Sequence, residues 1–208
     1  MKKTRVLVTG GIGAGKSTIC KMFEELEVPV FYSDDSAKKI GENNPFVHRK
    51  FRKKFGDEIF DGHKLNRKKL AQIVFNDEEK LEQLNNIIHP LVKEDFNGFC
   101  WEYEHYSFKY PDVHYVIEEA AIGIELGIQD DFDYVVLVTA DNDTKIKRVM
   151  ERDNCTEDQV LDRMKNQFSD AKKTKFADFI IENNDFPNAK CQVQKIHEDI
   201  LGKVKNKT

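Results

Sequence analysis

The sequence predicts an α/β fold: a parallel sheet flanked by helices, carrying a helical substrate-binding insertion and a helical lid. Three observations predict it. The apolar run Val6-Leu7-Val8 feeds directly into a glycine-rich turn, GGIGAGKST at residues 10–18, and then a helical stretch, a strand-turn-helix order. Further near-continuous apolar runs at residues 28–32, 114–117 and 134–139 read as strands covered on both faces, the pattern of a parallel sheet. Residues 45–110 are helical in character and too long for an ordinary crossover between parallel strands.

The glycine-rich turn fits the phosphate-loop pattern GxxxxGK[ST], with Gly10, Gly15, Lys16 and Ser17 at the fixed positions. The expected sheet is therefore of the P-loop nucleoside-triphosphate hydrolase-like kind. Glycine permits positive φ and a close approach of backbone to an anion, so the N–H groups of Gly11, Ile12, Gly13, Ala14, Gly15, Lys16, Ser17 and Thr18 can surround phosphate oxygens. Lys16 would reach the β and γ phosphates of ATP, and the Ser17 hydroxyl would hold Mg²⁺. The helix that begins near Ser17 adds its dipole.

At 208 residues the chain can bury a sizeable core as one domain with an insertion, or as two small ones. A formal charge of −4 gives no general reason to expect nucleic acid or membrane as partner. Cys20, Cys100, Cys155 and Cys191 are widely spaced with no CxxC, which fits reduced thiols better than a disulfide framework or zinc site. The N-terminus has two lysines but too short an apolar run for a signal peptide, and no stretch reaches membrane-spanning length. The expectation is a soluble, cytoplasmic protein, a monomer or weak homo-oligomer.

The second predicted strand ends in Ser33-Asp34-Asp35. Ligands of open α/β sheets gather at the carboxyl ends of strands, so Asp34 or Asp35 is placed to face what lies beyond the phosphate loop, while one of them caps a helix over residues 36–40. In the insertion, Phe46, Phe51 and Phe55 repeat at helical spacing, as do Leu70, Ile73 and Val74 and then Leu81, Leu84, Ile87 and Ile88. His89-Pro90 marks an expected break or kink. Between Asp34 and Lys69 there are 11 Lys plus Arg against 6 Asp plus Glu, a basic surface suited to a polyanionic small molecule or simply a solvated face. The aromatic stretch with Trp101, Tyr103, Tyr106, Phe108 and Tyr110 is expected to pack in a core.

The third strand ends in Glu118-Glu119, where one acid should point into the site to orient Mg²⁺ and one away. Arg148 and Arg152, four apart on a charged helix, share a face, and Thr156-x-x-Gln159 has the capping-box pattern of a further helix carrying Arg163 and Lys165. Paired arginines on a helical hairpin suit a lid that excludes water and neutralises the transferring phosphate, though salt bridges to Glu151 and Asp162 would also account for them. Residues 179–181 read as a last strand and 188–205 as a closing amphipathic helix. The expected division is a nucleotide-binding core (1–33, 111–140 and 174–208), a substrate domain (34–110) and a lid (141–173).

The ordered set of motifs resembles the dephospho-CoA kinase family over almost the whole chain. VTGGIGAGKSTICKMFEELEVPV resembles that family's opening. Its DGxLxRxxLxxxVF pattern is matched by Asp61-Gly62, Leu65, Arg67, Leu70 and Val74-Phe75, and its HPL triplet by His89-Pro90-Leu91. Its RVMxRD pattern is met at residues 148–153, with Gln167 following, and its ADxxIxN by Ala177-Asp178, Ile181 and Asn183. Two positions depart. Tyr32-Ser33-Asp34 stands where the family has Asp-Ala-Asp, and Ala121-Ile122-Gly123-Ile124-Glu125 where it has Pro-Leu-Leu-Phe-Glu.

The resemblance implies transfer of the γ-phosphoryl group of ATP to the ribose 3′-hydroxyl of dephospho-CoA, the last step of coenzyme A synthesis. It implies Asp34 as the base, Ser17 with Glu119 as the Mg²⁺ ligands, and Lys16, Arg148 and Arg152 as phosphate-binding cations. Arg67 and His89 become candidates for the acceptor's pyrophosphate or ribose, and Asn183 for the adenine site. Two other readings stay open on the residues alone: a kinase of the same architecture for another small acceptor such as a nucleoside monophosphate, and a nucleotide-dependent switch. The guanine-reading NKxD motif of a GTPase switch is absent.

Overall fold

The computed structural model describes residues 2–75, 77–106 and 110–206. It contains two compact units: the chain up to Tyr32 together with that from Cys100 onward, and the intervening Ser33–Phe99. The first unit opens with β1 (Thr4–Thr9), α1 (Lys16–Glu24) and β2 (Val30–Tyr32). The second holds α2 (Ser33–Asn43), α3 (Pro45–Phe55), a short hairpin of β3 (Phe60–Asp61) and β4 (Lys64–Leu65), α4 (Arg67–Phe75) and most of α5 (Glu78–His105). The chain then supplies β5 (Tyr115–Glu119), β6 (Tyr134–Thr139), α6 (Asn142–Asp153), α7 (Glu157–Lys165), α8 (Asp170–Lys173), β7 (Phe179–Glu182) and α9 (Phe186–Lys205) to the first unit.

The five long-range strands form one parallel sheet in the order β2-β5-β1-β6-β7, with β1 at its centre. Side chains alternate across a strand, and the β1 residues sort accordingly. Val6 and Val8 join Ile19 and Phe23 of α1, Val193 and Ile200 of α9, and Ile117, Val136 and Ile181 of the neighbouring strands in one buried cluster. Leu7 faces the other way, against Ala120, Ile124 and Val135, with Phe168 packed at the edge. Both faces are covered, which is why these strands read as continuous apolar runs.

α2 starts at Ser33, with Asp34 and Asp35 both in its first turn and neither as the cap outside it. Acidic side chains in a first turn are favoured by the helix dipole. α3 is capped by Asn44, whose side chain accepts the N–H groups of Phe46 and Val47 at 3.0 and 3.3 Å. Its buried stripe is Val47, Phe51 and Phe55, spaced four apart, while Phe46 lies on the opposite side at 48% exposure with the Lys50 ammonium 4.5 Å from its ring centre.

Three further expectations for this region are corrected. The stretch is not wholly helical, because Asp61-Gly62, with Gly62 at φ 66°, turns a small antiparallel hairpin that pairs Phe60 with Leu65. Helix α5 runs through His89-Pro90 over 28 residues, so the helix does not break there. A proline forfeits one main-chain hydrogen bond, and burial of Ile87, Ile88 and Val92 around it holds the helix together. Trp101 does not enter a core. It is 50% exposed and stacks on His105, ring centres 4.4 Å apart, with Tyr106 edge-on. Phe108 lies outside the described residues.

Candidate active site

Between β1 and α1 the backbone turns tightly around Gly13 (φ 78°) and Gly15 (φ 87°), a region that side chains other than glycine's rarely enter. Space reinforces conformation. A Cβ on Gly13 would stand 2.4 Å from the Lys145 carbonyl oxygen, and one on Gly15 would stand 2.2 Å from Nδ2 of Asn183. Gly15 caps α1 in the left-handed conformation. The first turn of any helix leaves N–H groups without intrahelical acceptors, and here those of Lys16 and Ser17 lie at the mouth of the loop, while the Thr18 N–H bonds the Gly15 carbonyl at 3.0 Å. This is the backbone arrangement that receives phosphate.

Lys16 lies along the loop, its Nζ 3.4 Å from the Gly11 carbonyl oxygen and 4.0 Å from Oε1 of Glu119. β5 supplies that acid. Glu119 pairs in register with Val8 of β1 and Tyr32 of β2, so it stands where three strands end. Strand alternation separates the two glutamates, both 5% exposed. Glu119 faces Lys16, and burial, with the Glu119 charge second, pushes the Cys20 thiol far up. Burial pushes the Cys100 thiol up to about 11, with Glu104 and Glu118 adding smaller contributions. Of the pair, Glu119 is the one beside the phosphate loop.

Ser17 and Glu119 are both oxygen donors of the type that suits Mg²⁺. Among the described residues no group of three or more His, Cys, Asp or Glu could hold a metal.

The two arginines of α6 part company. Arg148 reaches the loop: its Nη1 would lie 3.6 Å from a Cβ on Gly15 and is buried with no hydrogen-bond partner, a cation aimed at the phosphate-binding turn. Arg152, one turn on, binds Asp153 through Nε at 2.7 Å and Nη2 at 3.0 Å, and Asp153 also takes Nη1 of Arg163 at 2.6 Å. These bonds hold the Asp153 carboxyl down to about 2. Asn183, at the end of β7, is buried and donates its side-chain amide to the Ala14 carbonyl at 2.8 Å. Its side chain thus grips the loop itself.

Tyr32, the first departure from the resembled pattern, packs against the α1 side of the sheet and hydrogen-bonds Glu24. Burial raises its hydroxyl pKa. Glu125, kept at the second departure, accepts Nζ of the fully buried Lys173 at 2.9 Å and the Phe168 N–H at 2.9 Å. In the second unit, Asp34 occupies the first turn of α2, Arg67 opens α4 with Nη1 3.7 Å from Glu42, and His89 is half-buried within α5, its pKa lowered by burial. Lys145 and Asp170, which border the loop, escape a reading of the chain because their partners lie far away in sequence, and Gln167, noted there only as following the RVMxRD pattern, gives no sign of its own partner. The Gln167 to Ile12 bond spans 155 residues.

A parallel sheet whose central strand feeds a GxxxxGKS loop, with a buried acid at the next strand's end and a cation from the helix after β6, defines a P-loop kinase. The dephospho-CoA kinase family model matches residues 4–188. A dephospho-CoA kinase of Bacteroides fragilis is 35% identical over 180 residues, 86% of this chain and 84% of that protein. A solved Thermus thermophilus protein superposes with a TM-score of 0.79 at 25% identity, over 98% of each chain. Dephospho-CoA kinase of Campylobacter jejuni shares the fold, with a TM-score of 0.59 at 24% identity over 96% of this chain and 98% of the other. The chain belongs to the dephospho-CoA kinase family.

Proposed function

We propose that Asp34, Lys16, Glu119 and the α6 arginines divide the chemistry of a phosphoryl transfer whose acceptor is the ribose 3′-hydroxyl of dephospho-CoA. The family's reaction is ATP-dependent phosphorylation of dephospho-CoA to coenzyme A, so the chain is a kinase with an alcohol acceptor. The observation that carries the residue roles is the convergence of Lys16, Glu119 and Arg148 on one glycine-rich turn.

In this reading the Lys16 ammonium and the N–H groups of residues 11–18, other than those of Ile12, Ala14 and Thr18, which are bonded within the protein, hold the β and γ phosphates of ATP, and Arg148 adds a second positive charge. Arg152 exchanges Asp153 for the transferring phosphoryl group when residues 141–173 close as a lid. Ser17 and Glu119 would hold Mg²⁺, which supplies charge neutralisation on the phosphates. Asp34, two residues past the end of β2 in the chain, accepts the proton of the attacking hydroxyl. Arg67 and His89 hold the acceptor's pyrophosphate or ribose, and His89, kept neutral by burial, does so as a hydrogen-bonding group. Asn183 sits beside the nucleotide by gripping Ala14. Catalysis of this kind consists chiefly of positioning and electrostatics.

No helix among the described residues is long and apolar enough to cross a membrane. We place the protein in the cytoplasm as a monomer or weak homo-oligomer acting on small molecules. ADP release from ATP and Mg²⁺ is the test, with dephospho-CoA compared against AMP, adenosine and no acceptor. Stimulation by dephospho-CoA alone, with coenzyme A accumulating, is the expected result. Preference for AMP would overturn the acceptor assignment and leave the phosphate loop standing.

A further inference from the structure

We infer that Gln167 is a positioning residue for phosphoryl transfer: its side-chain carbonyl holds the Ile12 N–H and so sets the shape in which the phosphate loop meets ATP. Oε1 of Gln167 accepts the Ile12 N–H at 2.8 Å. Two residues on, Asn183 donates to the Ala14 carbonyl at 2.8 Å. The loop is thereby clamped by one acceptor and one donor on either side of Gly13, a glycine at positive φ in the turn.

The clamp is anchored by its own segment. Gln167 follows α7 with its N–H on the Met164 carbonyl at 3.1 Å. Next to it the Phe168 N–H binds Glu125 at 2.9 Å, Asp170 takes the ammonium of Lys145, which is buried, and Lys173 binds Glu125 at 2.9 Å and the Ala121 carbonyl at 3.3 Å. Five bonds within seven residues tie this stretch to the loop, to the segment after β5 and to α6. Gln167 is thus anchored by its own segment to α7 through Met164, to α6 through Asp170 and to the segment after β5 through Phe168 and Lys173.

A glycine-rich turn loses much backbone entropy when it wraps an anion, and bonds that fix it beforehand remove part of that loss from binding. The Ile12 N–H is also accounted for by Gln167, so the groups left to gather phosphate are those further along, toward α1. A neutral side-chain hydrogen bond of this kind changes affinity by about three- to tenfold. The effect should fall on ATP and spare the acceptor.

The inference rests on the loop being the ATP site, which ATP-dependent turnover by the parent protein tests separately. The parent should show a through-hydrogen-bond NMR coupling between the Ile12 amide nitrogen and the Gln167 side-chain carbonyl. Gln167→Met, similar in length but lacking the acceptor, should shift the Ile12 amide proton upfield and speed its exchange. It should also raise the KM for ATP about three- to tenfold while the KM for dephospho-CoA stays within twofold. Gln167→Glu should keep the Ile12 amide protected yet weaken ATP binding, because it sets a negative charge beside the phosphates. No coupling in the parent, an unmoved Ile12 amide in Gln167→Met, or equal rises in both KM values would each overturn the inference. The coupling measurement needs no variant and decides the matter even where Gln167→Met does not fold.

Discussion

Asp34 and Gly13 show how much a single residue can be asked to do here, one through chemistry and the other through shape. Asp34→Asn keeps the size and hydrogen-bonding atoms of the side chain but removes its basicity. We expect kcat to fall by about a hundredfold or more with the KM for ATP nearly unchanged. Steady-state kinetics on both substrates checks this, and a rate within a few fold of the parent would remove Asp34 from the proton transfer. Gly13→Ala must place a methyl group 2.4 Å from the Lys145 carbonyl at φ 78°, so the turn has to distort. ADP titration calorimetry should show affinity lowered by about tenfold or more, given the roughly 1–2 kcal/mol cost of that backbone region alone and the clash added to it. Both residues are legible in the chain, since each sits in a motif. Lys145 is not, because what makes it matter is a carbonyl oxygen of α6 meeting a glycine 132 positions earlier.

The helices and strands were readable wherever the pattern was local. β6 coincides with the apolar run at residues 134–139, β1 is built around Val6-Leu7-Val8, and α6 carries Arg148 and Arg152 on one helix. The Thr156/Gln159 capping box forms with both of its bonds, at 3.1 and 3.4 Å. The β3–β4 hairpin was missed although Asp61-Gly62 is a turn signal, because two-residue strands carry too little alternation to register. α8 is the element whose fate rests on a distant partner. Lys173 within it is fully buried and its ammonium is held by Glu125. Lys173→Met leaves that carboxylate uncompensated, and we expect a loss of about 3–5 kcal/mol in urea denaturation. Adding Glu125→Gln should recover part of the loss, since a neutral pair no longer carries a buried charge. If the double variant is no better than the single one, the pair is not what stabilises α8.

Across the whole molecule charge is unevenly spread. The formal total is −4, yet residues 34–69 carry 11 basic against 6 acidic side chains. Attraction of a polyanionic acceptor by such a surface is screened by salt, so the KM for dephospho-CoA should rise several fold between about 0.05 and 0.5 M salt. A KM indifferent to ionic strength would make the basic run of α3 and α4 an ordinary solvated face. The sequence by itself determined the sheet, the phosphate loop, the Thr156/Gln159 capping box and the family. These depend on neighbours in the chain, where hydrophobic period, glycine spacing and ordered motifs act over a few residues. Only the tertiary structure decided that Glu119 rather than Glu118 faces Lys16, that Arg148 reaches the loop while Arg152 is held by Asp153, and that Gln167 and Asn183 clamp the turn. Strand registry and side-chain packing bring those groups together from positions far apart in the chain, and no local pattern records which partners will meet.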